Sequence, residues 1–421
     1  MKLLTLSCLT ALLTFNPWLC RAEAVSLDVL IEQAIADDPL LERSAHTGNS
    51  FRHQAVAAGE LPDPAIAISL ANLPTDTFDF SQEPMTQVSL GITQFFPGGD
   101  TRGLQQEKFE QMSQVSRLDQ AVRRARVGYE VTAGWLRLRE ARLAIATIEG
   151  ERQLFDQLLS STTGNYESAT GRVNQQDLIR AQLEVTRLDE RILNLQEQSD
   201  RNLQELAALV PAALLDSQLD WALPSGGHGN APSLLTHPEV VRIDQQIAVA
   251  RTEVSLARES RRPGYRVNAS YGYRDQDLLG RDLPDFVSLG VSMDLPLFPG
   301  NRQDRQVAAA ADRTSALESA RTWKLRELSS QRASARASLQ QLTARQQLYE
   351  DTLLAQSDAL ARAALDAYSA DQGDFADVMR AYIARLNARI DLLGIETRRA
   401  QLGNELDYLN TTVATALEGQ P

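Results

Sequence analysis

A long internal repeat constrains the fold of this chain more than any other feature of its sequence. The stretch Phe96-Pro97-Gly98-Gly99-Asp100-Thr101-Arg102 has an echo, Phe298-Pro299-Gly300-Asn301-Arg302, that begins 202 positions later. Tyr166 and Tyr368 are separated by the same interval. A helical run from Val25 to about Gly59 is broken near Asp38-Pro39, and His237-Pro238 stands at the same position in the second half. In each copy, alternating apolar and polar residues precede the Phe-Pro-Gly turn and a long proline-free stretch follows it. A repeat this long predicts two equivalent halves of one fold, and we place them at residues 25–222 and 223–421.

The first 24 residues have the pattern of a secretory signal peptide. Lys2 supplies a positive start, residues 3–13 are an apolar run, and Ala22-Glu23-Ala24 is a small-x-small cleavage pattern. We expect cleavage after Ala24, with cleavage after Ala22 as the second option. Both cysteines lie inside this segment and neither has the context of a lipidation site, so we expect a mature chain without thiols, disulfides or a lipid anchor.

Net charge and motif content argue against several classes of function. A formal charge of −13 disfavours nucleic acid and anionic lipid headgroups as partners. The sequence has no phosphate-binding loop, dinucleotide-binding turn or nucleophile motif, so we expect neither an enzyme nor a bound cofactor. His46 and His53 could share a helix face, but two histidines without a further ligand make a weak metal site, and we assign no metal ligands.

Four segments have the alternating pattern of half-buried strands, at about 64–72, 86–95, 265–274 and 286–297. In the fourth, Val287, Leu289 and Val291 alternate with serine and glycine, which predicts one apolar and one polar face. Tyrosines near the ends of the third segment fit the aromatic girdle of a membrane barrel. An ordinary antiparallel sheet in water is the alternative that the strands alone leave open.

The segments at 100–210 and 301–417 have the pattern of two long helical hairpins. The 67 residues from Asp100 to Tyr166 contain no proline and correspond to about 100 Å of helix. A three-four spacing typical of a coiled-coil seam runs through Leu178, Ala181, Val185, Leu188 and Ile192 and continues to Leu209. The same spacing runs through residues 325–363 and predicts one unbroken seam there. Such helices are far too long for a bilayer, so we expect them to project into water. Polar residues interrupt the seams and suggest packing loose enough for the inner helices to slide.

Together these segments predict an assembly of several copies. Four strands cannot close a barrel, and an open sheet edge in lipid leaves backbone groups unpaired. Two copies would form a filled eight-stranded barrel, and three would form twelve strands with room for a passage. Glycines on the polar face, at positions 91, 272 and 290, favour the open lumen.

The order of these segments resembles the TolC family of outer-membrane efflux ducts along essentially the whole mature chain. Within that family, three stretches are similar to the branch that serves heavy-metal efflux pumps (CusC- and CzcC-like). These stretches are Leu61-Pro62-Asp63-Pro64 through Asn72-Leu73-Pro74, Gln82-Glu83-Pro84-Met85-Thr86, and Gln94-Phe95-Phe96-Pro97-Gly98.

The resemblance implies a mainly α-helical protein with a membrane β-barrel portion and two tandem repeats. The implied assembly is a homotrimer whose twelve-stranded barrel, embedded in outer-membrane lipid, continues into a periplasmic α-barrel. The implied partners are a periplasmic adaptor (membrane fusion protein) and an inner-membrane RND transporter of a Gram-negative bacterium. The implied function is a passive exit duct for heavy-metal cations.

The resemblance also implies a narrow entrance at the hairpin tips. The matching residues are Gly171 and Asp177 in the first tip and Tyr368, Gly373, Asp374, Asp377 and Arg380 in the second. Three copies of Asp377 around an axis would form a cation-attracting constriction. Arg380 stands where some members have a second acid, which puts a double acidic gate in doubt. The alternative reading is that these aspartates are solvated residues of a turn and a helix start.

Four other functions are alternatives to this duct. A multidrug efflux duct or a type I secretion duct would have the same fold. A structural coiled-coil envelope protein without a conducting pore would leave the alternating strands unexplained. A periplasmic adaptor is disfavoured because the sequence has no lipoyl-like segment.

Overall fold

A computed structural model describes residues 24–167, 175–224, 231–277, 279–370 and 372–417. The predicted signal peptide therefore lies outside the described residues, except for Ala24. The described residues form helices joined to one four-stranded sheet. The α-helices are α1 (Leu27–Ala36), α2 (Pro39–Gly59), α3 (Thr101–Glu167), α4 (Gln175–Ala207), α5 (Ala212–Leu215), α6 (Pro238–Glu259), α7 (Gln303–Leu348), α8 (Leu354–Ser369), α9 (Phe375–Leu409) and α10 (Val413–Leu417). The strands are β1 (Ala65–Ala71), β2 (Gln87–Phe96), β3 (Tyr265–Tyr273) and β4 (Phe286–Met293).

One helix in each half, α2 in the first and α6 in the second, begins at an X-Pro pair. Asp38 caps α2, and its Oδ1 accepts from the backbone N–H groups of Leu40 at 2.7 Å and Leu41 at 3.1 Å. Proline fits the first turn of a helix because its missing N–H has no intrahelical partner there. In the second half His237 caps α6 in the same way, immediately before Pro238. The helix break expected at Asp38-Pro39 is confirmed.

The sheet joins the two halves of the chain. Its strand order is β1-β2-β3-β4 and all neighbours are antiparallel. The central pair contains one strand from each half, with Phe96 opposite Tyr265 and Val88 opposite Tyr273. β4 ends at Met293, before the predicted 297, because its partner β3 begins at Tyr265 and offers no further residue for pairing.

The first hairpin consists of α3 and α4. α3 contains 67 residues without interruption, about 100 Å of helix. The seam predicted on α4 is buried or half-buried against its neighbours, with Ala181, Leu188 and Leu206 almost fully buried. The predicted long helix and its seam are confirmed here.

The second hairpin differs from the first in one arm. Its outgoing arm is α7 followed by α8, and a π-helical segment, Tyr349–Leu353, separates them. The corresponding stretch of α3, 202 positions earlier, is regular α-helix. The expectation of one unbroken seam through residues 325–363 is therefore wrong at this point. A π turn holds an extra residue and shifts the register of the side chains that follow it.

The two larger apolar clusters of the described residues pack most of the helices together. One surrounds the fully buried Trp135 and joins α1 and α3 to the end of α4. The other lies closer to the tips, where Phe155 of α3 packs against Tyr382 of α9 with ring centroids 6.4 Å apart. In the described part of the chain no helix is both long and apolar enough to cross a membrane.

Candidate functional site

One face of the sheet is apolar and exposed. Register places Ile66, Ile92, Ala269 and Leu289 in one row across all four strands. Ile66 and Leu289 retain 72% and 80% of their accessible surface. Neighbouring rows repeat this composition. A contiguous apolar surface of this extent indicates contact with lipid or with another chain.

Aromatic residues stand at both ends of the apolar face. At the end that leads into the helices, the rings of Phe96 and Tyr265 lie 6.4 Å apart. At the opposite end Tyr271 and Tyr273 are half-exposed, and Phe78 in the adjoining loop is more exposed still. Aromatic side chains that flank an apolar band are typical of the two interfaces of a bilayer.

The opposite face of the sheet carries small and hydroxylated residues. Ser69 and Ser89, paired across β1 and β2, have their hydroxyl oxygens 2.6 Å apart. Gly91 lies on the same face and has only ordinary contacts above its backbone, whereas the side chain of Gln87 occupies the space above Gly272. A wide, polar lumen needs such residues, because bulky side chains would fill it.

The sheet also has two open edges. Among the described residues β1 pairs only with β2 and β4 only with β3, so β1 and β4 each present a row of unpaired backbone groups. An exposed edge is a template for pairing with another strand. The edges of β1 and β4 are therefore available for pairing.

The structure gives the second hairpin tip a specific set of contacts. Asp374 caps α9, and its Oδ1 accepts from the N–H of Ala376 at 3.5 Å. Asp377 forms an ion pair with Arg380 one turn later. The ring of Tyr368 packs edge-to-face on Phe375, with centroids 5.7 Å apart. These contacts agree with the alternative reading of Asp374 and Asp377 as helix-start residues, and Arg380 offsets the charge of Asp377.

The other predicted tip residues are less informative. At Gly373 a Cβ atom would lie 3.0 Å from the Cβ of Ala367, so the turn from α8 into α9 is closely packed. Asp177 lies in the first turns of α4, and only its backbone is described. Gly171 lies outside the described residues.

An ionic network above the tips was not predicted from the sequence. Glu151 of α3 accepts from Arg385 and, at 2.5 Å, from Nη1 of Arg389 on α9. Asp358 of α8 approaches the same two arginines at 3.8 and 3.4 Å. Glu151 and Arg385 are largely buried, with side chains 10% and 15% exposed. The i, i+4 spacing of Arg385 and Arg389 was the only sequence signal, and nothing local identifies their partner.

A second polar cluster ties α6 to the end of α9. His237 is 1% exposed, its Nδ1 accepts from the N–H of Glu239 at 3.3 Å, and its Nε2 lies 3.3 Å from the carbonyl of Tyr408. Burial lowers the pKa of His237. Lys324 of α7 binds Glu239 at 2.9 Å and Glu327 at 2.7 Å. The X-Pro pair marked His237 as a helix start, but its contact with Tyr408 depends on the fold.

The two histidines expected to share a helix face do so, and both lie on the surface of α2. His46 pairs with Glu42 at 3.5 Å on the exposed surface of α2. In the described part of the chain no group of three or more His, Cys, Asp or Glu side chains is placed to hold a metal ion.

Among the comparisons with known proteins, only the search of solved structures finds similar chains. No family model matches the chain, and no curated protein matches it. The outer membrane protein VceC of Vibrio cholerae has a TM-score of 0.76 and 19% identity over 92% of this chain and 96% of that one. CusC has a TM-score of 0.74 and 16% identity, covering 91% and 92%. The open-state MtrE outer membrane channel of Neisseria gonorrhoeae has a TM-score of 0.70 and 16% identity, covering 91% and 88%.

This chain has the fold of bacterial outer-membrane channels. At these identities the likeness establishes the fold, and it confirms at that level the resemblance to the TolC family. The expected combination of long helices with a few antiparallel strands is confirmed, whereas the trimer and the twelve-stranded barrel remain predictions.

Proposed function

We propose that this protein is a passive exit duct of the outer membrane, the last part of a tripartite efflux pump. The observation that carries the proposal is the sheet, which has an exposed apolar face, a polar face and two unpaired edges. It is joined to helices of about 100 Å, far longer than a bilayer is thick. Strands of this kind fit lipid, and helices of this length fit a wide aqueous compartment.

Closing the sheet requires further copies. Three copies would pair β1 of each with β4 of the next and form twelve strands, which leaves a passage. α7 supports this assembly, because most of its surface is exposed, including Trp323 at 67%. A homotrimer would cover that surface with the helices of a neighbouring copy.

The remaining parts of the assembly rest on the sequence resemblance. In this proposal residues 1–24 direct export, residues 25–222 and 223–421 form the two repeats, and the helices lie in the periplasm of a Gram-negative bacterium. A periplasmic adaptor binds the helical end, and an inner-membrane RND transporter supplies the energy. The chain itself catalyses no reaction.

The opening of the tip is part of the same proposal. Tyr368, Gly373, Asp374, Asp377 and Arg380, together with Gly171 and Asp177 of the first tip, would form the periplasmic entrance. The ion pair of Asp377 with Arg380 and the ring contact of Tyr368 with Phe375 are contacts that an opening movement would have to accommodate.

The three stretches around the first strands that resemble the heavy-metal branch favour heavy-metal cations as the cargo. Hydrophobic drugs and secreted polypeptides are the alternatives within the same fold. A non-conducting coiled-coil envelope protein is the alternative from another class, and it gives no reason for the exposed apolar face of the sheet.

Growth of a deletion strain tests the duct and its cargo together. The strain is grown across copper, silver, zinc, cobalt and cadmium salts and across a panel of hydrophobic drugs, with and without the gene restored. Sensitivity to metals alone supports metal export, and sensitivity to drugs alone supports the multidrug alternative. If the purified protein comes from the envelope without detergent and forms no conducting pores in lipid bilayers, the duct proposal is wrong.

A further inference from the structure

The polar face of the sheet is almost free of charge. Across the four strands it consists of alanine, serine, glycine, threonine, asparagine, glutamine and phenylalanine, with one arginine. Arg266 is the only charged residue in the described strands. It lies one position from Tyr265, at the end of the sheet that leads into the helices.

Arg266 occupies a defined position. Its partner across the strand pair is Phe95, and its guanidinium carbon lies 5.1 Å from the centroid of the Phe95 ring. The ring in turn lies against Gly264, where a Cβ atom would come within 3.1 Å of two ring carbons. Glycine at 264 therefore leaves the space that Phe95 occupies, and the ring supports the guanidinium by a cation–π contact.

The charge of Arg266 has no ion-pair partner among the described residues. Asp294 is the acidic residue next to this end of β4. Its backbone N–H donates to the carbonyl of Gly264 at 3.1 Å, but its carboxylate forms no ion pair with Arg266. Arg266 therefore carries the one unpaired charge within the described strands, and low-dielectric walls strengthen the effect of such a charge on the local potential.

We propose that Arg266, supported by Phe95, determines the charge selectivity of the barrel lumen and favours anionic and neutral solutes over free cations. The inference rests on the proposed duct, because only barrel closure turns the polar face into a lumen wall. Three copies would place three guanidinium groups where the helical part of the passage meets the barrel. A metal cargo would then pass more readily as a neutral or anionic complex than as the bare ion.

Ion selectivity of the purified full-length protein in planar bilayers tests this inference. Reversal potentials are measured in a potassium chloride gradient at low ionic strength, where screening is weak. Arg266→Gln removes the charge and is expected to raise the ratio of potassium to chloride permeability severalfold. Arg266→Lys keeps the charge and is expected to keep the wild-type ratio.

The control is Arg258→Gln, which removes an exposed arginine of α6 that has no ion pair among the described residues. We expect no change in the ratio for this variant. If wild type and Arg266→Gln both form pores with the same ratio of potassium to chloride permeability, the inference is wrong and the proposed duct still stands. A protein that forms no pores at all would overturn the proposed duct and the inference with it.

Discussion

The hydroxyl of Tyr408 donates to Oε1 of Glu239 at 2.5 Å and so joins the end of α9 to the start of α6. The two residues are 169 positions apart. Lys324 binds the other oxygen of Glu239 at 2.9 Å, and the ring of Tyr129 lies 5.3 Å from that of Tyr408. Four helices, α3, α6, α7 and α9, therefore meet around one hydroxyl group.

Replacing Tyr408 with phenylalanine removes this donor while keeping the ring. We expect a loss of stability of about 1–3 kcal/mol, because a half-buried carboxylate loses one of its hydrogen bonds. The shift in the midpoint of thermal unfolding measures this loss of stability. Tyr349→Phe serves as the control, because its hydroxyl makes a long, exposed contact of 3.5 Å with Asp391. An unfolding midpoint unchanged in both variants would contradict the role given to Tyr408.

Stability is expected to fall when the medium becomes more acidic than the ordinary pKa of histidine. Burial lowers the pKa of His237 from its usual 6.5, so the folded protein binds this proton less readily than the unfolded chain does. His237 therefore has no effect on the free energy of unfolding above pH 6.5. It destabilises the fold increasingly as the pH falls from there toward the lowered pKa. Glu239 acts in the opposite direction, and Lys324 adds to the lowering.

The His237→Asn variant isolates this effect. Asparagine is also a good helix cap, so the start of α6 keeps an acceptor while the titrating group is lost. The difference in unfolding midpoint between wild type and variant should narrow or reverse between pH 7.5 and pH 5.5 (roughly one unit either side of the usual histidine pKa). A difference in unfolding midpoint that stays the same at both pH values would count against the prediction.

The ionic network above the tips should contribute strongly to the packing of the hairpins. Glu151→Gln removes the closer carboxylate from Arg385 and Arg389 in a largely buried site and leaves them the longer contacts with Asp358, and we expect a loss of about 3 kcal/mol. Thermal unfolding and resistance to protease measure the loss. Asp189→Asn removes a half-exposed partner of Arg152 and should cost about 1 kcal/mol or less. Equal effects at the two sites would mean that burial adds nothing to the network.

The two faces of β4 provide a matched pair of variants for the barrel. Leu289→Arg places a charge on the exposed apolar face, which should cost about 2–4 kcal/mol if that face meets lipid. Ser288→Arg places the same charge on the polar face and should allow assembly while reducing conductance. The two variants are compared by the quantity of each protein found in outer-membrane fractions. Equal quantities of both variants would indicate that the apolar face does not contact lipid.

The tip provides a test of the acidic constriction. Asp377→Ala should alter leak or block by multivalent cations if three copies of this carboxylate line the entrance. Asp374→Ala should mainly destabilise the start of α9, by about 1 kcal/mol, because it removes a helix cap. Single-channel recordings separate the two effects. Wild-type conductance and cation sensitivity in Asp377→Ala would leave Asp377 as a helix-start residue paired with Arg380.

Much of the fold was predictable because its signals are local. Alternation identified all four strands, since a strand with one apolar face needs every second residue apolar. The three-four spacing identified α4 and its buried Leu188 and Leu206, since neighbours on a helix face lie three and four positions apart. The Asp38-Pro39 pair identified the start of α2. In each case the residues that decide the structure lie within a few positions of one another.

The π-helical segment and the polar clusters were not predictable in this way. Tyr349 begins a π turn, whereas the corresponding stretch of α3 stays regular, although the repeat makes the two stretches equivalent. Glu151 meets Arg385 across 234 positions and His237 meets Tyr408 across 171. Their identity as partners depends on which helices become neighbours, and no pattern within one segment carries that information.

The sequence by itself determined the repeat, the kinds of secondary structure and the two unlike faces of each strand. Backbone geometry and the separation of apolar from polar residues act over one or two turns, so these features can be read locally. Only the tertiary structure decided that β2 pairs with β3 across the two halves, that Phe95 supports Arg266, and that Glu151 binds the arginines of α9. Those contacts arise because packing brings together residues that are distant in the chain.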